Sequence, residues 1–134
     1  MMRKAEARCW AVLPAAGKGS RMGAELPKQY MVVAGATLLE HSLRALLSCE
    51  QISGVIVALH ADDTRAAEMS IFQDPRIQTV LGAEQRNGSV LAGLDALMAQ
   101  AALRDWVLVH DAARPCLQEH DVMRLIATVT ANET

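Results

Sequence analysis

Apolar residues in this chain come in short unbroken runs, separated by stretches of helical periodicity. Residues 9–13 (CWAVL) form the first run, which Pro14 closes, and residues 54–60 (GVIVALH) form another rich in β-branched side chains. Residues 106–109 (WVLV) form a third. Runs of this length and make-up predict buried strands. Residues 76–81 (RIQTVL) alternate instead, which predicts a strand nearer a sheet edge. Between these runs, residues 37–49 bring Leu38, Leu39, Ser42, Leu43, Leu46 and Leu47 to one helical face. Thr37 stands at the N-cap with Glu40 three residues on, the capping-box spacing. A short helix is predicted over 62–69. A longer one over 86–100 would be faced by Val90, Leu91, Leu94, Leu97 and Met98, and a closing one over 118–131 by Val122, Leu125, Ile126 and Val129. Strands alternating with amphipathic helices imply an α/β fold with a mostly parallel sheet covered on both faces.

Composition narrows the class. The 134 residues are 51% hydrophobic and 21% charged, with 13 Lys and Arg against 15 Asp and Glu. That apolar share supports a packed core rather than disorder, and the length suits one domain, 1–134. A net charge of −2 leaves no basic footprint for nucleic acid. No apolar run approaches the roughly 18 residues of a membrane span, and the N-terminal stretch does not read as a secretory signal. Cys9, Cys49 and Cys116 are widely spaced, with no CxxC pair. Neither a zinc site nor a disulfide framework is expected, and reduced thiols packed as small hydrophobes point to the cytoplasm.

In open parallel sheets, ligands bind beyond the carboxyl ends of the strands. Three polar segments fall there: 14–28, 82–89 and 110–115. The first reads LPAAGKGSRMGAELPKQY from Leu13. Gly17, Gly19 and Gly23 allow backbone N–H groups to approach an anion, and Lys18, Arg21 and Lys28 add fixed cations. Such a loop has what a triphosphate needs, since phosphoryl-type transfer is catalysed largely by positioning and charge neutralisation. It is neither a GxxxxGK[ST] loop nor a dinucleotide fingerprint. Taken alone it reads equally as a solvated loop.

The segments PAAGKGSRMG with PKQY, GAEQRNGSVLAGL and VHDAARP, in this order, resemble the signatures of sugar-phosphate nucleotidyltransferases, and specifically of the 2-C-methyl-D-erythritol 4-phosphate cytidylyltransferase family. The resemblance covers the chain from about Cys9 onward. It implies a Rossmann-like three-layer α/β/α fold and transfer of CMP from CTP to 2-C-methyl-D-erythritol 4-phosphate, with release of pyrophosphate, in non-mevalonate isoprenoid biosynthesis. It assigns Pro14, Ala15, Ala16, Gly17 and Gly19 to nucleotide and phosphates. Arg21 and Lys28 become the cations that stabilise the transition state at the α-phosphorus. Gly82, Ala83, Glu84, Arg86 and Ser89 go to the cytosine and ribose side, with Ala83 standing where the family usually has a second glycine. Ala112 would let the ribose approach, and Asp111 would hold Mg²⁺ together with phosphate oxygens. From the residues alone, Ser89 reads as a helix cap, Arg86 as a solvated charge, and Asp111 as a cap or an ion-pair partner of Arg114. Ribitol- or other polyol-phosphate cytidylyltransferases and a non-catalytic CTP-binding module are the alternatives. A dinucleotide-binding domain fits poorly, because no acidic residue ends the second strand. Family members are longer, so the expected portion is the N-terminal, CTP- and metal-binding one. The later part of the family fold, its second-substrate contacts and its homodimer arm are expected beyond these residues.

Overall fold

The computed structural model describes residues 8–17, 26–102, 104–112 and 119–131. Its first strand, β1 (Cys9–Ala15), runs two residues past the predicted end at Leu13, through Pro14. A central strand tolerates proline only where its N–H is not needed. Here β6 (Trp106–Val109) pairs with β1 only as far as Val12, so Pro14 lies beyond that ladder and faces β4 (Ile52–Leu59) alone. With β5 (Ile77–Leu81) the four strands form one sheet in the order β5-β4-β1-β6, and every pairing is parallel.

β5 takes the edge its alternation predicts. β6 flanks β1 on one side and is half-buried rather than fully buried as its apolar run suggests; Val109 is exposed. β4 begins at Ile52, two residues before the predicted run at 54–60, and ends at Leu59. Gly54 is internal because the Trp10 ring lies over it: a Cβ there would meet Trp10 Cζ3 at 2.8 Å. Residues 32–37 form a small antiparallel hairpin, β2 (Val32–Val33) and β3 (Ala36–Thr37), in the apolar stretch that begins at Tyr30, an element not among those predicted above. Ala34 and Gly35 turn it with positive φ.

Helix α1 (Leu38–Leu47) has both halves of the capping box, Thr37 Oγ1 accepting from Glu40 N at 3.0 Å and Glu40 Oε1 accepting from Thr37 N at 3.1 Å. Its buried face is the predicted one. It packs with Val122 and Ile126 of α3 (Glu119–Ala131) on one side of the sheet, around Leu13, Val55 and Val57. Leu125, assigned to that face from periodicity, is exposed.

Helix α2 (Arg86–Leu97) covers the opposite side, over Trp10, Val12 and Ile56, completing a three-layer α/β/α arrangement. Its buried face departs from the prediction. Ser89, Gly93 and Leu97 point inward, while Leu91, Leu94 and Met98 are exposed. The close approach of helix and strand decides this. A Cβ on Gly93 would stand 2.5 Å from Val12 Cγ1, which leaves no room for a leucine. The helix predicted over 62–69 is two separate 3₁₀ turns, Ala66–Glu68 and Ser70–Gln73, broken by extended backbone at Met69. Asp63 Oδ1 accepts from Arg65 N and Ala66 N and thereby closes a turn instead of starting a long helix. Cys9 and Cys49 are buried free thiols, and burial pushes the Cys9 thiol above its ordinary range. Cys116 lies outside the described residues.

Asp105 ties the far end of the sheet together. Its side chain is almost wholly buried and accepts from Arg8 N (2.9 Å), Trp10 Nε1 (2.9 Å) and Ala102 N (2.8 Å). Burial works against its charge, but these bonds and the Arg8 guanidinium outweigh it and hold the carboxyl below the ordinary aspartate range. A carboxylate with a lowered folded pKa stabilises fully above the unfolded value, about pH 4, and loses that contribution as pH falls through the folded value. The urea midpoint of the wild-type chain is therefore expected to drop as pH falls below about 4, and that of Asp105→Asn to drop less. Parallel pH profiles for the two proteins would rule out a stabilising role for the Asp105 charge.

Candidate functional site

The segments that follow β1, β5 and β6 meet at the carboxyl end of the sheet. Pro14, Ala16, Gly17, Lys28, Gln29, Ala83, Glu84, Arg86, Ser89, Asp111 and Ala112 line a single cleft of about 380 Å³. Ala15 and Gly82, also singled out from the sequence, do not line it. Ala15 is buried in β1. Gly82 stands behind the wall, where a Cβ would meet Ala16 Cβ at 2.6 Å, Ser89 Oγ at 2.8 Å and Ala58 Cβ at 3.3 Å. Its lack of a side chain is what lets the β1 and β5 segments close on each other. Gly19, Arg21, Lys18 and Arg114 lie outside the described residues.

Ser89 is not a cap. Gln85 occupies the N-cap of α2 without a side-chain bond, and Ser89 sits one turn in, buried. Its hydroxyl accepts from Ala83 N at 2.9 Å and donates to Ala83 O at 3.0 Å. One side chain thus pins both backbone polar groups of Ala83. The methyl of Ala83, where a family glycine is usual, is accommodated by a second small residue: a Cβ on Gly88 would lie 2.6 Å from Ala83 Cβ.

Arg86 is not merely solvated. Its Nε donates to Asp111 Oδ1 at 2.5 Å and joins the start of α2 to the end of β6 across the cleft mouth. The arginine is more than half exposed, so this pair adds little to stability and matters for where the two charges sit. His110, given no role from sequence, donates its backbone N–H to Val12 O and prolongs the β1–β6 ladder to the residue before Asp111.

Lys28 is exposed and opens a 3₁₀ turn, Lys28–Tyr30, that brings it to the cleft. The two residues after it were not singled out from sequence and are both buried. Gln29 Nε2 donates to Ala15 O (2.8 Å) and Gly17 O (3.1 Å), and the Tyr30 phenol donates to Asp63 Oδ2. Burial and the Asp63 carboxylate hold the Tyr30 phenol above its ordinary range, so it stays protonated and keeps that bond. An amide directly after the loop lysine, next to an aromatic, was the available sign.

Among the described residues, no group of three or more His, Cys, Asp or Glu is placed to hold a metal. A cation cage made by these residues alone therefore does not fit. One carboxylate, Asp111, at the mouth of a cleft beside a lysine and an arginine does fit a hard cation that takes its other ligands from phosphate oxygens and water. The cleft is lined by backbone, small side chains and two signs of charge, which suits a polyanion approached by a cation.

A model of the 2-C-methyl-D-erythritol 4-phosphate cytidylyltransferase family matches residues 9–134. A curated protein of that name from Yersinia pseudotuberculosis (strain IP 31758) is 52% identical over 123 residues, covering 92% of this chain and 49% of that one. The chain thus spans about half the length of the curated relatives it matches. Among solved structures, a 4-diphosphocytidyl-2C-methyl-D-erythritol synthase superposes with a TM-score of 0.78 at 29% identity, over 96% of this chain and 56% of that one. The Francisella tularensis 2-C-methyl-D-erythritol 4-phosphate cytidylyltransferase gives 0.73 at 26%, over 95% and 54%. The parallel sheet, the three converging segments and these likenesses agree: the chain belongs to the 2-C-methyl-D-erythritol 4-phosphate cytidylyltransferase family.

Proposed function

We propose that this chain carries the CTP- and metal-binding part of an enzyme that transfers CMP from CTP to 2-C-methyl-D-erythritol 4-phosphate in non-mevalonate isoprenoid biosynthesis. The observation that carries this reading is the single cleft that gathers Lys28, Ala83, Ser89 and Asp111 from separate segments of a chain in that family. An oxygen of the acceptor's 4-phosphate attacks the α-phosphorus of CTP. A new P–O bond forms, the bond to the bridging oxygen of the β-phosphate breaks, and pyrophosphate leaves with that oxygen and its electron pair. No protein nucleophile takes part.

In this reading Lys28, with Arg21, neutralises the charge that grows on the α-phosphate oxygens, an interaction stronger in the transition state than in the ground state. Pro14, Ala15, Ala16, Gly17 and Gly19 cradle the nucleotide and its phosphates. Ser89 holds the backbone of Ala83 for the cytosine edge, with Gly82, Glu84 and Arg86 completing that side. Ala112 is small and buried, which admits the ribose. Asp111 would hold Mg²⁺, which when bound neutralises triphosphate charge. Arg86 occupies Asp111 until that cation arrives.

The full-length protein is proposed to act as a cytoplasmic homodimer that supplies the acceptor's contacts from its later residues. Among the described residues no helix is long and apolar enough to cross a membrane. Prolonged incubation of this chain with CTP, Mg²⁺ and 2-C-methyl-D-erythritol 4-phosphate is expected to yield pyrophosphate and the CDP-linked alcohol, seen by mass spectrometry. In the full-length protein, whose later residues are proposed to contact the acceptor, ribitol 5-phosphate in its place is expected to yield neither. CTP retained with no pyrophosphate formed would reduce the chain to a nucleotide binder.

A further inference from the structure

Gln29 is buried, polar and unused by the chemistry above. Its amide nitrogen spends its two hydrogens on two carbonyls, Ala15 O at 2.8 Å and Gly17 O at 3.1 Å. These carbonyls flank Ala16, at the point where β1 gives way to the glycine-rich loop. The Ala15–Ala16 peptide is trans and planar, so its C=O and N–H point in opposite directions. Holding the Ala15 carbonyl therefore also sets the direction of the Ala16 N–H, and Ala16 lines the cleft.

The same three-residue turn carries Lys28 at its start and Tyr30 at its end. Tyr30 is tied to Asp63 on the segment after β4, and the Arg65 guanidinium lies over its ring at 5.7 Å. The turn is thus fastened on one side to β1 and on the other to the β4 segment. Lys28 itself lines the cleft and is exposed. An exposed lysine on a long flexible stem has no fixed position unless its backbone is held.

We propose that Gln29 is a positioning residue, which ties the Lys28 turn to the end of β1 so that Lys28 and the Ala16 backbone keep one geometry around the nucleotide's phosphates. This rests on reading the cleft as a CTP site. Gln29 borders the cleft too, but both its amide hydrogens are taken by the Ala15 and Gly17 carbonyls, so it acts on the nucleotide through Lys28 and Ala16.

The test compares wild type, Gln29→Met, Lys28→Ala and the double variant. Methionine keeps the length and bulk of glutamine and removes both donors. In Gln29→Met, amide hydrogen exchange is expected to quicken by about tenfold or more at Tyr30 and Met31, whose N–H groups close the turn on Pro27 O and Lys28 O, with β4 and α1 unchanged. CTP affinity with Mg²⁺ is expected to weaken by about tenfold. The Lys28→Ala effect is expected to shrink when Gln29→Met is already present, because the two changes remove one interaction. Effects on CTP affinity that simply multiply would overturn the proposal, since a merely structural glutamine is not coupled to Lys28. Should wild type take up no CTP, the cleft reading fails separately. Exchange still decides the tie: quickening confined to Tyr30 and Met31 supports it, and unchanged exchange sinks it. If Gln29→Met does not fold, Gln29→Leu, which is apolar, of similar bulk and also without donors, replaces it in every arm.

Discussion

Lys28→Ala is expected to lower pyrophosphate release from CTP by about a hundred- to a thousandfold at saturating nucleotide, the cost typical of removing one preorganised group aimed at developing transition-state charge. The fall should appear mainly in turnover, with a smaller loss of CTP affinity, because an ammonium held beside the α-phosphate gains most as charge grows there. Stability should hardly change. Lys28 is exposed and makes no ion pair among the described residues, so its truncation should move unfolding by less than about 0.5 kcal/mol. Lys28→Arg should recover only part of the rate, since a planar guanidinium places its charge differently from a compact ammonium. Pyrophosphate release and thermal unfolding measured on the same preparations separate the two effects. Wild-type turnover in Lys28→Ala would remove the lysine from the chemistry.

The largest expected effect on stability comes from Leu43→Ala. Leu43 is fully buried on α1, in the cluster that joins β1, β4 and α3. Deleting its three outer carbons loses their burial and leaves a cavity in a close-packed layer, together costing about 2–5 kcal/mol. A domain of this size has about 5–15 kcal/mol in total, so urea unfolding should shift markedly at unchanged m-value. Leu91→Ala is the matched control. Leu91 is 59% exposed on α2, and its loss should stay within about 0.5 kcal/mol. Equal shifts for the two leucines would contradict the assignment of buried faces.

That contrast also marks how far the sequence was legible. α1 could be read fully, down to its capping box, because its leucines follow one helical stripe and nothing else competes for that face. α2 could be placed but not oriented. Its packing rests on Ser89 and Gly93, small residues that admit close contact with the sheet, while Leu91 and Leu94 face outward. Periodicity of large apolar residues does not register a face built by the absence of bulk. The same limit hid the role of Gly54 inside β4, which depends on the Trp10 ring from a neighbouring strand.

The site was legible as three segments beyond strand ends, and the cleft gathers most of the residues singled out in them. What sequence could not reveal were contacts that only the folded chain brings together. Arg86 on Asp111, Ser89 on the Ala83 backbone and Gln29 on two loop carbonyls all depend on the tertiary fold. Each fixes a group that the motifs name, and no hydrophobic or charge pattern announces the pairing.

The central claim is that these segments together bind a cytidine triphosphate with a divalent cation. Calorimetric titration of CTP into this chain, with and without Mg²⁺, tests it most directly. Saturation at one CTP per chain is expected, tightened by Mg²⁺, with that tightening lost in Asp111→Asn. A chain that keeps its α/β circular-dichroism spectrum yet takes up no CTP at millimolar concentration in the presence of Mg²⁺ would contradict it.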